Sequence, residues 1–167
     1  LRSNNGGGHV SADGILNDGL YLFDDSNDFE LSLFQIHPQQ QYAASTEISL
    51  IKADYEGGYT CGLGESYTRA LSRSREGEVF MNERKLKESV GSAVKFGEVI
   101  QLFHVFSSRY VAHAPDILAV EERANTRLQL TAVESSKCWI QILPRFRIDR
   151  EGDRVARGNE VYFKIFE

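Results

Sequence analysis

Any chemistry in this 167-residue sequence would have to be built from four histidines, two cysteines, two adjacent aspartates and a cluster of arginines. None of His9, His37, His104 and His113 stands one helical turn from a second histidine or a cysteine, as a His/Cys metal pair on a helix requires, and His104 alternates within an apolar run that reads as a strand. Structural or surface histidines are expected, with no metal and no cofactor. Ser107 and Ser108 fall in a tight turn, not on the strand-to-helix elbow that exposes a hydrolase nucleophile, and Asp24-Asp25 reads as turn residues. The sequence therefore does not read as an enzyme. Cys61 and Cys138 are far apart and form no CxxC or Cys/His spacing, so two reduced, buried thiols in a cytosolic setting are expected. Gly6-Gly7-Gly8 lacks the Lys-Ser/Thr of a phosphate-binding loop and is read as turn material.

The most informative surface is Pro144 to Arg157, where Arg145, Arg147, Arg150, Arg154 and Arg157 alternate with Asp149, Glu151 and Asp153. A phosphate pocket wants convergent guanidiniums with uncompensated charge. Three carboxylates among five arginines fit a protein interface or a solvated loop better. Phe146, an aromatic between two arginines, reads either as an interface anchor or as a packed loop aromatic. Arg145, Phe146, Arg147, Arg150 and Arg154 are the candidate binding residues.

The composition sets the frame that must position this loop. Apolar residues make up 41% and charged residues 26%, with only 3 Pro, as in a folded protein of one domain spanning 1–167. A net charge of −5 argues against a nucleic-acid partner, which needs clustered cations to neutralise phosphates. No apolar run approaches the roughly 20 residues of a membrane span, and no basic-then-apolar opening marks a secretory signal.

Short apolar pieces between Gly, Asn and Asp over the first 25 residues, at Gly8-His9-Val10, Gly14-Ile15-Leu16 and Gly19 to Phe23, predict short strands and tight turns. Leu31 to Pro38 reads as a strand closed by its proline. Ser45-Thr46-Glu47 predicts a helix start, with Ile48, Ile51 and Tyr55 at helical spacing and Gly57-Gly58 as the stop. From Glu65 to Ser89 five Glu are mixed with six Lys or Arg around a narrow apolar stripe, which predicts two helices divided at Gly77. Together these form a helical arm at about 45–90 inserted into a β domain. Strands return at Val99–Phe106, Tyr110–His113, Leu128–Thr131, Trp139–Leu143 and Val161–Phe166.

Gly97-Glu98-Val99-Ile100-Gln101-Leu102 is answered sixty-one residues later by Gly158-Asn159-Glu160-Val161-Tyr162-Phe163. Repeated four-strand units predict an all-β fold, a β-trefoil whose third unit is incomplete in this chain, carrying an inserted helix-turn-helix arm.

The run from Gly97 to His104, followed by Ser107-Ser108-Arg109-Tyr110-Val111, resembles the strand, turn and strand that open a repeat in the amino-terminal trefoils of inositol trisphosphate and ryanodine receptors. Cys138-Trp139-Ile140-Gln141-Ile142-Leu143-Pro144 and Arg150-Glu151-Gly152-Asp153-Arg154-Val155 with Gly158 resemble the family's Trp-strand-Pro segment and following loop. Leu33 to Pro38 with Tyr42 resembles the strand before its inserted arm, and Gly8-His9-Val10 to Leu16 its first hairpin. Tyr55–Ser74 matches only loosely. The Arg- and Thr-containing loop that grips the messenger in the family's second trefoil has no counterpart, Asn125-Thr126-Arg127 being a poor substitute. The resemblance is thus to the first trefoil, called the suppressor domain.

That resemblance implies a non-enzymatic regulatory domain of an inositol trisphosphate-gated calcium-release channel, which lowers the affinity of the adjoining ligand-binding core without itself binding inositol trisphosphate. It implies contacts with that core and with neighbouring subunits of a tetramer, the latter through the loop with an aromatic at the position of Phe146. It also implies a place on the cytosolic face of a calcium-store membrane, such as the endoplasmic reticulum. A free-standing lectin-like or phosphoinositide-binding trefoil is the alternative.

Overall fold

Alternation of apolar and polar residues after Gly97 produces the centre of the sheet. The computed structural model describes residues 1–2, 8–23, 29–56, 65–119 and 125–166. Among the described residues eight strands are formed: β1 (His9–Ser11), β2 (Tyr21–Phe23), β3 (Phe34–Pro38), β4 (Val99–His104), β5 (Arg109–Leu118), β6 (Thr126–Thr131), β7 (Ile140–Pro144) and β8 (Val161–Ile165). Two helices, α1 (Ala43–Glu56) and α2 (Glu65–Ser89), separate β3 from β4. This is an all-β fold with a helical insertion. The chain divides into two compact units, one of residues 1–39 and 91–167, the other of residues 40–90. No helix among the described residues is long and apolar enough to cross a membrane.

In the β unit, β1 and β2 pair as a hairpin and the other strands form one sheet, ordered β6-β5-β4-β7-β8 with β3 also on β4. β4 is the hub. One of its edges carries β3 from Ile100 to His104, and the other is divided between β7, at Val99 and Ile100, and β5, at Phe103 and His104. Ile100 and Leu102 of β4 and Ile140 and Ile142 of β7 alternate into a core completed by Ala12, Phe96, Val111 and Leu130. On the opposite face of β5, Tyr110 and Ala112 pack with the buried Cys138, whose thiol pKa burial raises. Both members of the sequence echo flank β7. Each strand, β4 and β8, follows a glycine with positive φ, 89° at Gly97 and 94° at Gly158.

His104 is fully buried, and its imidazole joins two distant segments. The Leu31 carbonyl can only accept, so Nε2–H donates to it at 3.1 Å and Nδ1 takes the Ser107 hydroxyl at 2.8 Å. His37 stacks on Phe103 with centroids 5.0 Å apart, and its Nδ1 lies 2.9 Å from the Tyr110 hydroxyl. Burial lowers the pKa of both rings, at His104 against the opposing pull of the Leu31 hydrogen bond. The unfolded chain therefore binds more protons than the native one below the ordinary value of 6.5. Histidine-linked stability is complete above that value and is lost as pH falls through the lowered native values. The urea midpoint is expected to begin dropping as pH falls below 6.5, before ordinary carboxylates titrate. A midpoint that stays level there would refute the buried neutral assignment.

In the helical unit, α1 is capped from a distance. The Glu78 carboxylate of α2 accepts the Ala44 and Ser45 amides at 2.7 and 3.2 Å, and Asn82 exchanges two 2.8 Å hydrogen bonds with the Gln41 backbone. A carboxylate at the positive end of the helix dipole fixes the start of α1 two residues before the predicted Ser45. The predicted division at Gly77 does not occur. Glu65 to Ser89 is one helix, because strong helix formers on both sides of this exposed glycine outweigh its cost of about 1 kcal/mol. The narrow stripe is as expected: Leu71 is the buried apolar residue that α2 contributes among its described side chains.

Other expectations are corrected near the amino terminus. Gly14-Ile15-Leu16 is a turn, closed by the Gly14 amide on the Asn17 carbonyl at 3.0 Å, and leaves Leu16 91% exposed. The strand expected from Leu31 starts at Phe34, after a 3-10 turn over Phe29–Ser32. Trp139 precedes β7 at the end of another 3-10 turn, with its ring 6.4 Å from that of Phe166. Gly6-Gly7, Asp24-Asp25, Gly57-Gly58 and Cys61 lie outside the described residues.

Candidate functional site

The arginine-rich segment links β7 to β8, and the pairing of those strands holds its two ends together. The Pro144–Val161 pair closes the ladder, and the Arg145 amide then donates to the Glu160 carbonyl at 3.2 Å. A second clamp acts midway. The Phe96 amide donates to the Asp153 carbonyl at 2.9 Å, the Gly152 amide to the Phe96 carbonyl at 2.8 Å, and the Val155 amide to the Val94 carbonyl at 2.9 Å. Because the Phe96 ring is buried in the core, the loop is tied to the best-packed part of the β unit. Within it, the Asp153 carboxylate accepts the Arg150 amide at 2.9 Å, and the Asn159 side chain accepts the Ala156 amide at 2.6 Å.

The five candidate residues do not form one cluster. Arg145 and Phe146 come together: the guanidinium lies 5.8 Å from the Phe146 ring centroid and also pairs with Glu160 at 2.9 Å. Arg147, Arg150 and Arg154 are exposed, and among the described residues no ion pair engages them. Arg154 is tied instead through its backbone, in a bridge to Lys95. The expected offset of arginines by Asp149, Glu151 and Asp153 takes a different form. Glu160 supplies the pairing carboxylate, and Asp153 is spent on a turn amide.

Phe146 is 51% exposed, with the Arg145 guanidinium over part of its ring. Ile148, which the arginine pattern concealed, is 89% exposed. The available signal was its place two residues after Phe146, between Arg147 and Asp149 and outside any strand. The loop therefore presents two large apolar side chains bordered by cations, on a backbone pinned at its ends and its middle. An apolar centre with a charged rim and a pre-ordered backbone suits docking against another protein surface.

Comparison with known proteins agrees with the motifs. A family profile described as inositol 1,4,5-trisphosphate/ryanodine receptor matches residues 2–166. The chain is similar to the inositol 1,4,5-trisphosphate receptor itr-1 of Caenorhabditis elegans, with 24% identity over 133 residues. That alignment covers 80% of this chain and 5% of the relative, so the chain spans a small part of the length of the protein it matches. A profile match from end to end, over the strands, the helical insertion and the β7–β8 loop just described, places the chain in the inositol 1,4,5-trisphosphate/ryanodine receptor family.

Proposed function

We propose that this chain is a suppressor-like regulatory domain of an inositol trisphosphate-gated calcium-release channel, and that it acts through contacts rather than catalysis. The observation that carries the reading is the clamped β7–β8 loop, with Phe146 and Ile148 exposed just after β7. A domain that relays a conformational change needs a surface that engages its neighbour differently in two states. A backbone ordered before docking lowers the cost of binding, so contacts made in one state and lost in the other count nearly in full. The partners are the adjoining ligand-binding core and a neighbouring subunit. On this reading the sheet is a β-trefoil whose third unit opens with β8, the counterpart of β4. The parent protein then sits in a calcium-store membrane with this domain on the cytosolic side.

The test replaces Phe146 with alanine in the full-length receptor. Ligand affinity or the ligand dependence of gating is expected to shift by about 5-fold or more, the lower end of ordinary coupling energies. The exposed position of Phe146 predicts that thermal stability of the domain changes by less than about 1 kcal/mol. Unchanged affinity and gating in a folded Phe146→Ala receptor would exclude the loop from the relay. Calorimetric titration of the 167-residue chain with soluble inositol trisphosphate separates this reading from a phosphate-binding module. No binding heat is expected, and tight binding would overturn the suppressor assignment.

A further inference from the structure

The first half of α2 carries the sequence Arg69-Ala70-Leu71-Ser72-Arg73-Ser74-Arg75, and every residue in it except Leu71 is exposed. Arg69 and Arg75 stand three residues before and after Ser72. Residues at that spacing share a helix face, so the Ser72 hydroxyl lies between two guanidinium-bearing side chains. Ser72 and Arg75 also line a groove of about 690 Å³ between the helices, whose α1 wall carries Lys52. Glu76, four residues after Ser72, and Glu83, two turns further on, also line the groove. The groove's own charged lining is balanced, Lys52 and Arg75 against Glu76 and Glu83, and Arg69 adds one positive charge a turn before Ser72, so a phosphoserine competes with Glu76 for Arg75 and Lys52.

We propose that Ser72 is a phosphorylation site for an arginine-directed protein kinase, and that the phosphate braces α1 against α2 through Arg75 and Lys52. An arginine three residues before the acceptor is a bidentate handle for a carboxylate pocket on such a kinase. In the transfer, the Ser72 oxygen bonds to the γ-phosphorus of magnesium-bound ATP while the bond from that phosphorus to the bridging oxygen breaks. ADP leaves, and the hydroxyl proton passes to the kinase's catalytic aspartate. The hydroxyl now donates to the Thr68 carbonyl at 3.0 Å, so this turn must open locally to enter the kinase. The cost of opening is small, because Leu71 is the one buried side chain between residues 66 and 77.

The test incubates the 167-residue chain with MgATP and an arginine-directed kinase catalytic subunit that is active on a control peptide, followed by mass-spectrometric mapping. Label is expected on Ser72, absent in Ser72→Ala and retained in Ser74→Ala. Arg69→Gln, an exposed change that leaves the helix intact, is expected to lower kcat/KM by about tenfold or more. Label confined to Ser74, no label, or an unchanged rate in Arg69→Gln overturns the assignment. Phosphorylation is also expected to slow amide exchange over residues 48–52 of α1, and to do so much less in Lys52→Gln. Equal exchange before and after phosphorylation overturns the bracing.

Discussion

Replacing Gly14 with alanine is expected to destabilise the β unit by about 2–5 kcal/mol, the sum of left-handed backbone strain and overpacking. Gly14 holds a φ of 68°, which a Cβ disfavours, and that Cβ would stand 2.4 Å from the Ser107 Cβ and 2.9 Å from a Leu130 methyl. The neighbour cannot give way freely. Ser107 is engaged with the buried His104, which also holds the Leu31 carbonyl, so pushing it aside loosens the join between the β4–β5 turn and the segment before β3. Set against a typical total of roughly 5–15 kcal/mol, the loss is a large fraction of the stability. Urea denaturation measures it as a lower midpoint at constant slope. The double variant Gly14→Ala with Ser107→Gly relieves the clash with Ser107 but keeps the close approach to Leu130 and the strain, and loses the hydroxyl, so only part of the loss is expected to return. A loss below about 1 kcal/mol in the single variant would contradict the tight packing.

The same region shows why some elements were legible and others not. Ile100 with Leu102 and Ile140 with Ile142 alternate because one face of each strand enters the core, and a period of two is visible in any window of five residues. The echo of Gly97 in Gly158 was equally visible, since the same turn conformation demands the same residue type. Gly14-Ile15-Leu16 mimics that pattern, but its aliphatic pair is exposed on a turn whose shape is set by packing on Ser107, more than ninety residues away. Likewise the start of α1 is fixed by Glu78, which no local window around Ser45 contains. Gly77 misled for the opposite reason: a local breaker signal was overruled by the length of helix on both sides. At the candidate site, alternating arginines announced the loop. The pairing of Arg145 with Glu160 depends on the β7–β8 ladder bringing together residues fifteen apart, and so becomes evident only once that ladder is formed.

Phe96→Ala is expected to cost about 3–5 kcal/mol, the usual range for deleting a buried aromatic ring. Phe96 differs from other core residues because its side chain and backbone serve two structures at once. The ring packs in the core that Ile100, Leu102, Ile140 and Ile142 share, while its amide and carbonyl hold Asp153 and Gly152 of the loop. Emptying the core position thus also loosens the mount on which Phe146 and Ile148 stand. Amide exchange at Gly152 is expected to accelerate more in Phe96→Ala than at Ile142, which is bonded to the Glu98 carbonyl elsewhere in the same core. Phe96→Leu keeps most of the volume and is expected to cost less than about 1.5 kcal/mol. In the full-length receptor the conservative variant is the more informative, because it remains folded while the clamp softens. If the loop relays the state of the neighbouring domain, Phe96→Leu shifts coupling in the same direction as Phe146→Ala, by less. If coupling is untouched while Gly152 exchanges faster, the loop's rigidity contributes nothing to docking, and the argument from a pre-ordered backbone fails even where the contact itself survives.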